Sequence, residues 1–269
     1  MLTNILEDTV EEVSEREVEK RLQHLKYSID SVLNGSEDLW KFREIHDPKE
    51  ISRQIEERKR QYGLKGIAFP IEDPFDAHSR FWTLTGPGVY KGVAAVRINN
   101  PIGVSPSGLN LLSKKELVEF SERYPDYHNG EALTESTLDE KEREKFRTVL
   151  EKYGKEENAY EVRALFTADS HPNSSPILIL GLIKSIYEEG WKFGSQTHHP
   201  DHSLFYKRVL PYTTIAGETQ KYVNPNDITK TPRNGFLDIF GRPAQTLGIA
   251  HGKFAERYKQ LIENYMNRL

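Results

Sequence analysis

The order of apolar and polar segments after residue 80 constrains this chain more than any single motif. Two strand-like runs, 81–84 and 92–99, flank a Gly86-Pro87-Gly88 turn. A polar stretch follows over 101–158. Then come a strand at 160–167, an apolar helix at 177–189, a strand at 191–197 and a short helix at 200–210. Strands at 212–222 and 245–250 and a helix at 253–267 close the pattern. Strands that alternate with helices, yet also occur in adjacent pairs, predict a single sheet domain of α/β (α+β) class.

The rest of the chain reads as additions to that sheet. Only 36 % of the 269 residues are hydrophobic and 29 % are charged, and the polar excess lies in 1–60 and 101–158. The reading divides the chain into an N-terminal helical extension, 1–46, and a sheet domain, 47–269, with the insertion 101–158. Over 9–33, Val18, Leu22, Leu25, Ile29 and Val32 recur at helical spacing up to Asn34-Gly35. That helix packs on its own domain or forms a homodimer contact. A second, highly charged helix spans 48–62, with Pro48 near its first turn. The insertion carries helices at 113–122 and 137–153. Ser113 and Glu116 form a capping box for the first of them, and the whole insertion reads as a lid rather than core.

Several function classes drop out. There is no cysteine, which removes disulfides, thiolate metal sites and a cysteine nucleophile. A net charge of −4 argues against binding to nucleic acid. No apolar run reaches the ~18 residues of a membrane span, and the acidic start lacks the features of a signal peptide. The expectation is a soluble, cytoplasmic protein.

Glu161 is the sharpest chemical candidate. Strict alternation puts Glu161, Arg163 and Leu165 on one face of the 160–167 strand, and Tyr160, Val162, Ala164 and Phe166 on the other. A Glu and an Arg on one face of an apolar strand either pair or face a cleft. Asp73-Pro74-Phe75-Asp76 brings two carboxylates to a loop end, able to hold an amine or anchor a loop. Arg97 is a charge in an otherwise apolar strand. The loop His171 to Pro176 offers Asn173, Ser174 and Ser175 as helix caps, with backbone N–H groups suited to a phosphate. His198, His199 and His202 have a metal-like spacing, but Pro200 interrupts any shared helix, and no metal is expected.

Two segments carry a family resemblance. Residues 191–212 read WKFGSQTHHPDHSLFYKRVLPY. With Phe205, Tyr206, Arg208 and Leu210, this stretch resembles the C-terminal part of GCN5-related N-acyltransferases, and more narrowly the long-chain N-acyl amino acid synthases. Asp73 to Ser79 resembles that family's D-x-[FY]-D-x-x-S entry into the sheet, and also the D-x-x-D of acyl-homoserine lactone synthases. Arg97 matches an arginine in the following strand, Glu161 a later glutamate, and Arg58 and Tyr62 an R-x-x-x-[FY] helix pattern. The chain departs from the lactone synthases in having Ala164 where they carry an arginine, with Arg163 one residue earlier.

The resemblance implies a GNAT-like mixed central sheet whose strands at 160–167 and 191–197 splay apart to admit an acyl-phosphopantetheine arm. It implies an N-acyltransferase with no tightly bound cofactor. An acyl thioester on acyl carrier protein, or acyl-CoA, is the co-substrate, and the amine of an amino acid is the acceptor. The HPNSSP loop in place of a basic glycine-rich one favours the carrier protein. Glu161, Arg97, Asp73 and Asp76 take the catalytic roles, with Arg97 on the acceptor carboxylate. Leu165, Phe166, Thr167, Asn173, Ser174, Ser175, Phe205, Tyr206 and Arg208 line the donor site. Phe166, Leu182, Phe193, Phe205 and Tyr206 are candidate tunnel residues. Lys184, Lys192, Lys207 and Arg208 are a candidate docking patch for the carrier. Two alternatives stay open: an acyltransferase acting on a Lys or ornithine side chain of a peptide or on a polyamine, and a non-enzymatic binding or dimerisation module.

Overall fold

The computed structural model describes residues 14–33, 40–64, 73–86, 88–100, 102, 105, 108, 112–124, 140–153, 159–168, 174–189, 193–198, 213–216, 245–250, 260, 261 and 263–265. In chain order the elements are α1 (Glu15–Leu33), β1 (Lys41–Ile45), α2 (Pro48–Leu64), β2 (Ser79–Gly86), β3 (Val89–Arg97) and α3 (Lys114–Arg123). They continue as α4 (Glu140–Tyr153), β4 (Ala159–Thr167), α5 (Ser175–Glu188), β5 (Phe193–His198), β6 (Thr213–Ala216) and β7 (Gln245–Ala250). A short 3-10 turn, Asp76–His78, leads into β2. The strands form one seven-stranded sheet in the order β1-β2-β3-β4-β5-β7-β6. Its pairings are antiparallel except β4 with β5, which run parallel across α5. The single sheet is that expected from the element order, and its mixed strands flanked by helices are those the family resemblance implies.

Each face of the sheet has its own helices. On one, α1 and α5 cover Trp82, Leu84, Val93, Ala95 and Tyr160. Val18, Leu25 and Ile29 of α1 are buried there with Ile177, Leu178 and Leu180 of α5, so α1 packs on its own domain. The α5 sequence PILILGLI is apolar nearly all round because it lies between the sheet and α1. On the other face, α2 sets Ile51 and Ile55 against Ile45, Phe81 and Ala94. Phe120 of α3 stacks on Phe75, with ring centroids 6.4 Å apart, beside Val96. Phe120, Phe146 and Val149 are all buried. The insertion therefore contributes to the core, where the sequence reading had only a lid.

Three local outcomes differ in detail from the reading. First, β1 is a strand the sequence reading lacks. Its three charges among five residues hide the pattern, but they suit a strand at the sheet's edge. Second, the ends of β2, β3 and β5 move by one to three residues, the ordinary scale for such boundaries. Third, β4 does not alternate throughout. Ala94 pairs with Arg163 but Gly92 pairs with Phe166, so β4 spends three steps where β3 spends two. Ala164 takes up the extra residue at φ 56°, a β-bulge. The bulge sends Leu165 to the α5 face and Phe166 to the face of Glu161 and Arg163. Gly92 makes this fit, since a Cβ there would collide with the Phe166 ring and the Gln54 amide.

The helical capping is as expected for α3. The Glu116 N–H donates to Ser113 Oγ at 3.4 Å, and the Ser113 N–H donates to Glu116 Oε2 at 2.8 Å. The Ser113 hydroxyl also donates to Glu116 Oε2 at 2.7 Å, and this bond together with that of the Ser113 N–H holds the Glu116 carboxyl below the usual carboxylate range. A group depressed on folding stabilises above its unfolded pKa and loses that effect as pH falls through the folded one. The stability difference between the wild type and Glu116→Gln should therefore shrink in urea titrations taken from neutral to strongly acidic pH. Gly181 gives a second test. An added Cβ in α5 would lie 2.5 Å from three ring carbons of Phe42. Gly181→Ala should lower unfolding stability by about 1–2 kcal/mol, overpacking outweighing the ~1 kcal/mol gain in helix propensity.

Candidate functional site

The loop before β2 is shaped by its own aspartates. Asp73 Oδ1 accepts from the Phe75 N–H at 3.0 Å, and its carbonyl accepts from the Asp76 N–H at 2.9 Å. This is an Asx turn, the local structure that Asp-Pro favours. It folds both carboxylates inward, under α2 and against β4.

Two arginines meet them. Arg58 of α2 grips Asp76 with both guanidinium nitrogens, Nη1 reaching Oδ1 at 3.0 Å and Nη2 reaching Oδ2. Arg163 of β4 binds Asp73 Oδ2 through Nη2 and Asp76 Oδ1 through Nη1 at 2.9 Å. Its Nη1 also lies 3.5 Å from Ser79 Oγ, and its guanidinium sits 5.5 Å from the centre of the Phe75 ring. The side chains of Arg58 and Asp73 are each 2 % exposed, that of Arg163 10 % and that of Asp76 12 %. In this setting a charge-assisted fork is strong, and breaking it strands a buried charge. The aspartates are thus tied to arginines, which fits the loop-anchoring alternative of the sequence reading.

Glu161 lies on the same face, two residues before Arg163. It is 1 % exposed, pairs across the sheet with Val96 of β3, and is in register with Ser195 of β5. The ladder between β4 and β5 covers 159–162 and 193–196. Both strands continue beyond it, to Thr167 and His198. The two strands thus part beside the bulge, as the family resemblance implies.

The donor-side residues fall into three groups. Leu165 packs in the α5 core, Phe166 covers Gly92, and Thr167 pairs with Lys91. Ser174 is buried at the start of α5, and Ser175 Oγ accepts from Lys91 Nζ at 3.0 Å. Asn173, Phe205, Tyr206 and Arg208 lie outside the described residues, as do His199, His202, Lys192 and Lys207 and the side chains of Tyr62, Phe193 and His198. Lys184 pairs with Glu188 at 3.6 Å. Lys91, fully buried, was missed in the sequence. Its signal is a lysine alternating with Val89, Val93 and Ala95 on an apolar strand face.

Arg97 stands apart from this group. It is opposite Tyr160, one position from the Val96–Glu161 pair, so strand alternation sends it to the other face of the sheet. There its Nε donates to Tyr160 Oη at 3.2 Å, and it lines an open cleft of about 530 Å³ with His78, Arg80, Asn99, Asn100 and Glu189. Arg80 in that cleft is paired with Glu44 and Glu189, which raise its pKa. The structure therefore brings Asp73, Asp76, Arg163, Arg58 and Glu161 to one face and leaves Arg97 on the opposite one. Arg163→Met, which leaves Asp73 with its buried charge, should cost about 3–5 kcal/mol in chemical denaturation. Arg163→Lys should also be destabilising, because an ammonium cannot reproduce the fork that joins two carboxylates.

No protein-family model matches the chain, and no curated protein does. Among solved structures the chain is similar to FeeM, an N-acyl amino acid synthase from uncultured soil microbes, at 14 % identity and a TM-score of 0.47, covering 82 % of this chain and 97 % of that one. It is similar to the AHL synthase LasI at 9 % identity and a TM-score of 0.46, covering 80 % and 91 %. It is also similar to MesI, a CoA-dependent acyl-homoserine lactone synthase, at 13 % identity and a TM-score of 0.42, covering 84 % and 95 %.

Proposed function

We propose that the chain is an N-acyltransferase that moves a fatty acyl group from a carrier-protein thioester to the amine of an amino acid. The observation that carries this reading is the buried Glu161, set where β4 and β5 part and on the same face of the sheet as the Arg58, Arg163, Asp73 and Asp76 network. The fold and the two motif segments that resemble N-acyl amino acid synthases support it.

In this reading the acyl arm enters the gap between β4 and β5. The acceptor reaches Glu161 as an ammonium. Glu161, directly or through a water, takes one proton, and the neutral amine attacks the thioester carbonyl. A C–N bond forms, the C–S bond breaks, and the thiol leaves with its carrier. No enzyme nucleophile is needed, which suits a chain without cysteine. The bulge at Ala164 re-aims the peptide groups that follow it, and an N–H between Leu165 and Thr167 would polarise the carbonyl.

The test is release of carrier-protein thiol from acyl carrier protein, with acyl-CoA run beside it, in the presence of a pool of amino acids. Glu161→Gln should lower the rate of thiol release by about 10²–10⁴-fold. Full transfer by Glu161→Gln across pH would remove Glu161 from the role of base.

A further inference from the structure

Ser195 carries a hydroxyl that the fold itself does not use. It lies in β5, is fully buried, and its Oγ has no hydrogen-bond partner among the described residues. Buried hydroxyls are almost always bonded, so an orphan inside a sheet needs a reason. Its position supplies one. Ser195 is the in-register neighbour of Glu161 across the parallel β4–β5 pair. Residues in register on neighbouring strands point to the same face, with backbones about 4.8 Å apart. Ser195 therefore shares the face that holds Glu161 and Arg163, one residue before the β4–β5 ladder ends at Gln196.

A hydroxyl can both donate and accept. Beside a carboxylate that only accepts, it adds the ability to orient a group that must lose a proton to that carboxylate. We infer that Ser195 is a positioning residue of the acyl-transfer site. Its Oγ hydrogen-bonds the acceptor nitrogen, or the water that relays its proton, and aims it at Glu161. Ser195 forms no covalent bond. The proton passes from nitrogen to Glu161, and the serine hydroxyl keeps its own. The inference rests on the acyl-transfer reading and adds to it a residue from a second strand.

An orphan hydroxyl makes an unusual forecast for stability. A serine kept for packing or bonding destabilises when it is lost. A serine whose hydroxyl has no partner in the fold does not. Ser195→Ala should therefore unfold at the wild-type temperature or above it. In the thiol-release assay the same variant should lose about tenfold in kcat/KM for the amine, with KM for the acyl carrier unchanged and the acidic limb of the pH profile displaced. Ser195→Thr, which keeps the hydroxyl, should recover part of the loss. A lowered unfolding temperature for Ser195→Ala, or wild-type kcat/KM and pH profile, would overturn the assignment while leaving Glu161 as base. A wild type that releases no thiol with any amine would overturn the acyl-transfer reading and the role of Ser195 with it.

Discussion

One guanidinium ties three separate stretches of chain together. Arg163 of β4 holds Asp73 and Asp76 of the loop before β2, and Asp76 in turn holds Arg58 of α2. Sequence separations of 87 residues for the Arg163–Asp76 contact and 18 for Arg58–Asp76 are closed in one buried network. Such ion pairs are poor sources of net stability, since desolvation offsets most of the attraction. What they supply is a unique arrangement. Each partner left alone is a buried charge, so the loop, the helix and the strand keep the one register that satisfies all four. Glu161 is held next to this frame by two residues of β4.

The second determinant is the bulge. Without Ala164 in its left-handed conformation, Leu165 would lie on the Glu161 face and Phe166 on the α5 face. The extra residue exchanges them. Leu165 joins the core under α5, and the Phe166 ring and the Gln54 amide both close on Gly92 on the α2 side. A non-glycine residue at positive φ costs about 1–2 kcal/mol, so the bulge is an imposed feature. It lies where β4 leaves β5, the place where a chain-like substrate could meet strand backbone. The frame, the bulge and the parting strands all converge within a few residues of Glu161.

Much of this was legible from residues alone, and the failures are physical. The capping box of α3 and the strand at 245–250 were read correctly because each rests on short-range chemistry. Glu161 and Arg163 were placed on one face because alternation holds up to the bulge. Beyond it, alternation fails, and nothing in Arg-Ala-Leu-Phe marks Ala164 as left-handed, since alanine has no preference for that region. Arg97 was grouped with Glu161 by motif order, and a one-residue offset in pairing moved it to the other face. The Asp73 and Asp76 partners were not readable either, because tertiary ion pairs leave no local periodicity. β1 was missed because an edge strand can be mostly charged. Ser195 could not have been singled out, for its distinguishing property is a bond it does not make.

The central claim is that this face of the sheet performs acyl transfer to an amine. Mass spectrometry of organic extracts from a bacterial host expressing the chain tests it most directly, against the same host expressing Glu161→Gln at equal soluble level. The first extract should contain N-acylated amines, and the second should nearly lack them. Identical extracts, with or without N-acyl amines, would contradict it.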